Sequence, residues 1–390
     1  MIFIGCNNGR TYEEVTNFER EYKFDFEIEE KVQKDTVPWK HQLSAGEYAL
    51  KGSYKKALKE WGKVMRGREL YYSEKEIDSL KANFTLVNAK QEIVAQSKET
   101  SIVIINEAHH NTFHRLFTKS LLKDLYETGY RYLGLEALMN GDEKDAFLNT
   151  RKYPIKKSGY YTNDPNFSKL IREATAIGYQ VFSYEQTSGV NGKEREIEQA
   201  KNIQEILKTS KGKILIHCGF DHVLEGSKRG WEKAMAGRIK EFTGVDPLTV
   251  NQTQFSERGE ERYNHPMLKA LQVKESSVLK NKHDSIVGYT RRNSWTDIAV
   301  LHPTIEEEEG QVVEKNSIEH VLNFDKIDLE YPLMVLGFKE GDDIHKAVPI
   351  LVTELKGKKS ELKLLLPQKG TYIFVVVNKE NRAVKFKESV

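Results

Sequence analysis

Between about residue 100 and residue 301 the sequence alternates short apolar runs with helix-spaced segments, and few folds accommodate that alternation. Apolar, often β-branched runs fall at residues 101–105, 130–135, 179–184, 213–216 and 248–250, with 297–301 expected as a sixth strand. Between them, residues 113–126, 167–177, 194–207 and 231–242 carry apolar side chains every three to four positions. That spacing is the mark of a helix with one buried face. Strands alternating with helices predict an α/β domain with a mostly parallel central sheet flanked by helices.

The flanks have a different texture. Residues 1–95 read as an N-terminal helical segment, in which 43–61 form a helix–turn–helix hairpin around Gly52. The hairpin is similar to one tetratricopeptide unit. With no second unit it cannot build a solenoid and is expected to pack on the main domain. Residues 326–390 contain five strand-like runs, at 331–338, 348–355, 362–366, 372–377 and 383–386, separated by Gly, Asp, Lys and Asn turns. They predict a small C-terminal antiparallel β domain, structural or partner-binding. The core then spans 96–325, and the acidic run 306–309 is expected to be a solvated loop.

Bulk composition serves mainly to exclude. The 60 Lys+Arg against 58 Asp+Glu leave no global basic field, so no nucleic-acid partner is expected. No apolar run approaches the ~20 residues of a membrane span. Two cysteines, Cys6 and Cys218, make no disulfide framework. The opening Met1-Ile2-Phe3-Ile4-Gly5-Cys6, followed by polar Asn7-Asn8-Gly9-Arg10, resembles the end of a bacterial lipoprotein signal without its charged start and full apolar core. Two readings stay open: a frayed terminus of a cytoplasmic protein, or a truncated start in which Cys6 tethers the chain to a membrane of the cell envelope.

The chemistry concentrates where strands end. The successive ends carry Glu107, Glu136, Glu185, His217 with His222, Asn251 and His302. In parallel sheets the loops at the carboxyl ends converge over one crevice, so these groups are expected around one site. The run Glu107-Ala108-His109-His110-Asn111-Thr112-Phe113-His114-Arg115 holds three histidines at the start of a helix. The positive end of the helix dipole disfavours imidazolium there, and a neutral imidazole suits a metal ligand or a general base. His217 and His222 bracket a glycine turn without the His-Glu-x-x-His spacing of zinc peptidases. Cys218 is read as a packing residue or a soft ligand. No P-loop and no Gly-x-Ser-x-Gly elbow occurs, which argues against nucleotide hydrolysis by a P-loop and against serine esterase chemistry.

The stretch from Asn106-Glu107-Ala108-His109 to His114-Arg115 resembles the Gly-Glu-x-His-x-Asn-Pro-x-His signature of the ChaN-like haem-uptake proteins. Their superfamily includes the erythromycin esterases and the Tiki/TraB proteins. Glu136 matches the second glutamate of that pattern, Arg195-Glu196 with Ala200-x-Asn202 its Arg-x-x-x-x-Ala-x-Asn helix, and Gly219-Phe220-Asp221-His222 its second Gly-x-x-His. The resemblance covers about residues 100–250. Asn106 replaces the first glycine and Thr112 the proline. On erythromycin-esterase spacing His110 takes the place of His109, so the key histidine stays open between the two.

The resemblance implies three readings. In the first, the chain is a hydrolase of ester or peptide bonds in small-molecule or peptide substrates. Glu107 with His109 or His110 activates water, directly or on a divalent ion (Mn, Co or Zn) held by Glu107, His109 and His222. Glu136 and His222 orient or bind, and Arg195 or Arg115 stabilises the oxyanion. In the second, it is a haem- or iron-complex-binding envelope lipoprotein with a histidine or tyrosine axial ligand, His114, Glu185 and His217 being further cofactor-side candidates. No Met-rich apolar segment marks a porphyrin slot. In the third, it is a non-catalytic scaffold whose hairpin and β tail bind partners.

Overall fold

The computed structural model describes residues 11–65, 67–324 and 327–390. The segment ending in Cys6, and with it the expected membrane tether, lies outside these residues. Among the described residues no helix is long and apolar enough to cross a membrane.

Eight strands, β1 (Phe84–Asn88), β2 (Ile102–Glu107), β3 (Tyr130–Leu135), β4 (Gln180–Ser183), β5 (Lys213–Gly219), β6 (Leu248–Phe255), β7 (Ser277–Asn281) and β8 (Ile298–Leu301), form the central sheet. Their order is β1-β7-β8-β6-β2-β5-β3-β4. From β8 through to β4 all neighbours are parallel, while β7 runs antiparallel to both β8 and β1. The expected mostly parallel α/β core is present, with all six strands read from the sequence. β2 is buried along its whole length and β5 from Ile214 onward, as strands covered on both faces must be. Val103 and Ile105 enter one apolar layer with the helices Phe113–Glu127 and Pro165–Ile177. Ile102 and Ile104 enter the other, with Lys193–Thr209 and Met235–Thr243.

Strands β1 and β7 correct the sequence reading, which placed β1 in a helical segment and β7 in the polar stretch 256–294 before the sixth strand. They pair with each other at the antiparallel edge. No residue of β1 is fully buried, so its composition never had to be apolar. The chain enters the parallel part at β2, steps outward to β3 and β4, returns to insert β5 beside β2, then crosses to β6 and β8. β2 therefore sits where the strand order reverses, and a crevice opens over strand carboxyl ends at such a reversal.

The expected hairpin forms from Lys40–Leu50 and Tyr54–Val64, turned at Gly52 with φ of 78°. The C-terminal strands Leu333–Lys339, Leu351–Leu355, Thr371–Asn378 and Ala383–Ser389 make an antiparallel sheet that the N-terminal strand Glu13–Val15 completes. Ile318–Asn323 pairs with Glu361–Leu366, and both pack on one face of that sheet. Phe18, Tyr22 and Phe24 close the other face. The acidic run is a short hairpin, Glu307–Glu308 against Gln311–Val312, rather than a bare loop.

His302, expected at the strand-end site, is instead a core residue. Its Nδ1 faces Ser276 Oγ at 2.8 Å and its Nε2 faces Gln252 Oε1 at 3.2 Å. Burial pushes it down to about 3. Between that value and the ordinary 6.5 the unfolded chain binds a proton that the folded chain refuses, so stability falls as pH drops through this window. The loss from this one group is about 2 kcal/mol at pH 5. Urea unfolding at pH 7 and pH 5 is expected to show a loss smaller by about that amount in a His302→Gln variant than in the native protein.

Candidate active site

Side chains alternate faces along a strand, so Glu107 ends β2 on the face of Val103 and Ile105. His217 shares that face with Leu215, and the register sets it opposite Ile105. Two polar groups thus enter an apolar layer, where only firm partners make them tolerable. The first turn of the helix Phe113–Glu127 supplies the main one. Arg115, with no exposed surface, donates from Nε to Glu107 Oε2 (2.6 Å) and from Nη2 to Glu107 Oε1 (2.9 Å). Its Nη1 donates to Asp164. Asp164 caps the helix Pro165–Ile177, accepting from the Asn166 N–H at 2.6 Å with Pro165 in the first turn. His217 Nε2 meets Glu107 Oε2 at 3.0 Å, and its Nδ1 faces Thr118 Oγ1 at 3.2 Å. Burial alone would raise the Glu107 carboxyl. The Arg115 guanidinium and the hydrogen bonds from His109 and His217 outweigh it and hold the group well below the usual carboxylate range.

Glu107 Oε1 also faces His109 Nδ1, at 2.8 Å. A buried carboxylate on Nδ1 makes that nitrogen the proton carrier and leaves Nε2 as the acceptor. The ring lies flat on Tyr161, 3.9 Å between centroids, and edge-on to Phe220. Below it is Gly219, where a Cβ would fall 2.6 Å from Nε2, so the approach requires glycine. The following Phe220 adopts φ of 36°, with its carbonyl accepting from Asn106 Nδ2 at 2.7 Å. Asn106 Oδ1 accepts from the Gln252 N–H at 2.9 Å, so Asn106 braces this turn from both its amide groups.

Glu136 lies beside His109. Its Oε2 accepts from the Gly219 N–H (2.7 Å), while Oε1 accepts from Arg195 Nη2 (2.9 Å) and lies 3.6 Å from His222 Nε2. Arg195 also grips Glu185, through Nε at 2.9 Å and Nη2 at 2.6 Å. His222 Nδ1 faces Glu196 Oε2 at 2.9 Å, and its ring stacks on Trp231. Burial would lower His222, but Glu136 and Glu196 raise it on balance. Burial would raise Glu136, but His222, His109 and Arg195 bring it down. Over these groups opens a cleft of about 690 Å³, lined by His109, Glu136, Tyr160, Tyr161, Glu185 and Arg195 among others.

Most of the residues singled out from the sequence are brought together here, in different depths. His109 lines the cleft. His110 does not, and instead stacks on Trp61 at 4.0 Å. His114 accepts from the Ala108 N–H through Nδ1 (3.0 Å) and faces Ser256 through Nε2 (2.8 Å); burial keeps it neutral, bracing the turn. Arg115 stands behind Glu107 with no exposed surface and holds the carboxylate, whereas Arg195 lines the cleft. Asn251 Oδ1 caps its own turn, accepting from the N–H groups of Thr253 and Gln254. Cys218 faces the opposite layer. Tyr160, Tyr161, Asp164 and Glu196 escaped notice as site residues. Asp164-Pro165 carried a signal only as a helix start, with nothing local to join it to Arg115, and Glu196 only as the neighbour of Arg195 in the resembled helix.

The two cofactors the resemblance implies do not fit these residues. Among the described residues no group of three or more His, Cys, Asp or Glu side chains is arranged to hold a metal ion. Both oxygens of Glu107 and both nitrogens of His222 already face protein partners. For haem, the propionates would meet a lining of Glu136, Asp142, Glu143 and Glu185 against Arg195, which is already engaged by two of them.

No known protein family and no curated protein matches the chain. Some solved structures resemble parts of it at TM-scores under 0.5. The type III effector HopBA1 is 11% identical, with a TM-score of 0.37, over 55% of this chain and 94% of that one. RRSP, a MARTX toxin effector domain from Vibrio vulnificus CMCP6, is 14% identical with a TM-score of 0.30, over 52% and 43%. ChaN of Campylobacter jejuni, described with cofacial haem binding, is 9% identical with a TM-score of 0.33, over 57% and 98%. None of these assigns a family here.

Removing the cation from the buried cluster leaves Glu107 and Asp164 uncompensated. Arg115→Met is therefore expected to cost about 3–5 kcal/mol in urea unfolding. His222→Gln takes the ion-pair partner from Glu196, which keeps the Met235 N–H, while Glu136 keeps Arg195; with an amide donor left in place of the ring it is expected to cost less.

Proposed function

We propose that this chain is a hydrolase of ester or peptide bonds in which His109 activates water without a metal. The observation that carries the reading is the Glu107–His109 pair at the cleft: a buried, ionised carboxylate on Nδ1 and a free Nε2 beside Glu136. Water hydrogen-bonded to Glu136 attacks the substrate carbonyl carbon while His109 Nε2 takes its proton. The carbonyl oxygen gains negative charge, which Arg195 meets from the cleft wall, its side chain 27% exposed. Glu107 stabilises the imidazolium. His109 then returns the proton to the leaving oxygen or nitrogen as the carbon–oxygen or carbon–nitrogen bond breaks. Glu185 and His222 keep Arg195 and Glu136 in place, and Tyr161 fixes the plane of the base.

The test is an assay of the purified chain against ester, lactone and peptide panels, with and without EDTA. Hydrolysis in at least one panel is expected to survive the chelator. It is expected to fall by about 10²–10⁴-fold in His109→Asn and far less in His110→Asn. Inactivity across the panels, or equal rates in His109→Asn, would overturn the proposal.

A further inference from the structure

A hairpin built from Tyr289–Arg291 and Ser294–Thr296 lies against the short strand Glu225–Gly226, with Trp295 in register with Glu225. The fit is close. Gly226 has φ of 76°, and a Cβ there would fall 2.2 Å from the Asn293 carbonyl oxygen. The Ser227 N–H donates to that carbonyl at 3.0 Å, and Ser294 Oγ donates to the Ser227 carbonyl at 2.7 Å. Arg291 reaches further, its Nη2 donating to Asp221 Oδ2 at 2.6 Å. Asp221 belongs to the turn Phe220–Val223 that carries His222. The hairpin thus ties down residues 221–227, and the proposed reaction gives it no task.

At the foot of the hairpin two carboxyl groups meet one hydroxyl. Thr249 Oγ1, on β6, lies 2.9 Å from Glu225 Oε1 and 2.9 Å from Asp297 Oδ2. It also accepts from the Asp297 N–H at 3.0 Å. A hydroxyl has one proton to give, so it serves one of the two carboxyls. The other makes a hydrogen bond only by bringing a proton of its own. Asp297 is the better anion, because it is exposed and its Oδ2 also accepts from the Thr249 N–H at 2.8 Å. Glu225 is buried and has no second donor among the described residues. Burial and the Asp297 charge push its carboxyl up to about 7. Asp246 adds to the repulsion, and Lys240, the opposing cation on the helix Met235–Thr243, is itself paired with Asp246 at 2.6 Å. Glu225 therefore carries the proton and donates to Thr249 Oγ1, while Thr249 donates to Asp297.

We propose that the hairpin 289–296 is a strap over the His222 turn, latched by the proton that Glu225 holds and released when that proton passes to solvent. Once ionised, Glu225 competes with Asp297 for the Thr249 proton, and two carboxylates face each other across one hydroxyl. Glu225 belongs to the strand under the strap, and Asp297 follows the last residue of the strap, so the repulsion acts between the two. Release frees Arg291 from Asp221 and uncovers the turn that carries His222. The latch can be measured whether or not the chain hydrolyses anything.

The full chain and Glu225→Gln, whose amide still donates to Thr249, are compared at matched pH. The folded chain holds this proton up to about pH 7 and the unfolded chain only to about 4.5, so the stabilisation is complete below 4.5 and lost as pH rises through 7. In urea unfolding the unfolding constant of the native chain, relative to the variant, is expected to rise roughly 50-fold between pH 5 and pH 8. Arg291 and Arg292 at the exposed hairpin tip report the strap itself, because trypsin cuts there only after local opening. At pH 8.5 cleavage at these two residues is expected to be roughly tenfold faster in the native chain than in Glu225→Gln, with equal rates at pH 6. Asp297→Asn, which leaves Glu225 no carboxylate to face, is expected to slow cleavage at pH 8.5 as well, and it decides the matter should Glu225→Gln not fold. A stability ratio that does not change with pH, or equal cleavage at pH 8.5 in the native chain and a cooperatively folding variant, would overturn the proposal.

Discussion

The site depends on Arg115 holding two carboxylates inside an apolar layer. Its guanidinium joins Glu107, at the end of the central strand, to Asp164, at the start of a helix some fifty residues further along the chain. Taking these charges out of water costs several kcal/mol for each ion, which the mutual attraction offsets only when geometry is near ideal. That demand locks the geometry. Glu107 cannot turn away from His109 without abandoning Arg115, so the imidazole inherits the rigidity of the ion cluster.

The second network has the same logic at shallower depth. Arg195 is shared by Glu136 and Glu185, while His222 braces Glu136 from the side and is itself held by Glu196. Gly219 joins the two networks, its N–H on Glu136 and its bare Cα beneath His109. A side chain at this position would push His109 and Glu136 apart. The left-handed Phe220 that follows is a local cost of the kind found where a backbone must be held for function, and buried Asn106 sustains it.

The flanking segments reach the core. The N-terminal hairpin brings Trp61 to the turn that carries His109 and His110, and Lys51, buried between Asp25 and Glu354, ties that hairpin to the C-terminal sheet. The first described strand, Glu13–Val15, completes that sheet at the opposite end of the chain. These parts share cores with their neighbours, which fits a role in stiffening the loops above β2.

Much was legible from the residues alone. Six parallel strands and four helices followed from the period of apolar residues, because strands buried on both faces must be apolar throughout and helices on a sheet need an apolar stripe. The convergence of Glu107, Glu136, Glu185, His217 and His222 followed from one rule about strand ends. The antiparallel strands β1 and β7 did not follow: no residue of β1 is fully buried, and β7 has only Val278-Leu279 as an apolar pair among polar residues. The choice of His109 over His110 could not follow either: adjacent residues in a turn point in directions that only the turn decides. Nor could Arg115 be assigned to the interior, because its partner Asp164 is remote in sequence. The sequence by itself thus determined the order of the elements and the chemical groups at their ends. Tertiary structure alone decided which groups face solvent and which are locked behind them, because burial and pairing arise from contacts between residues distant along the chain.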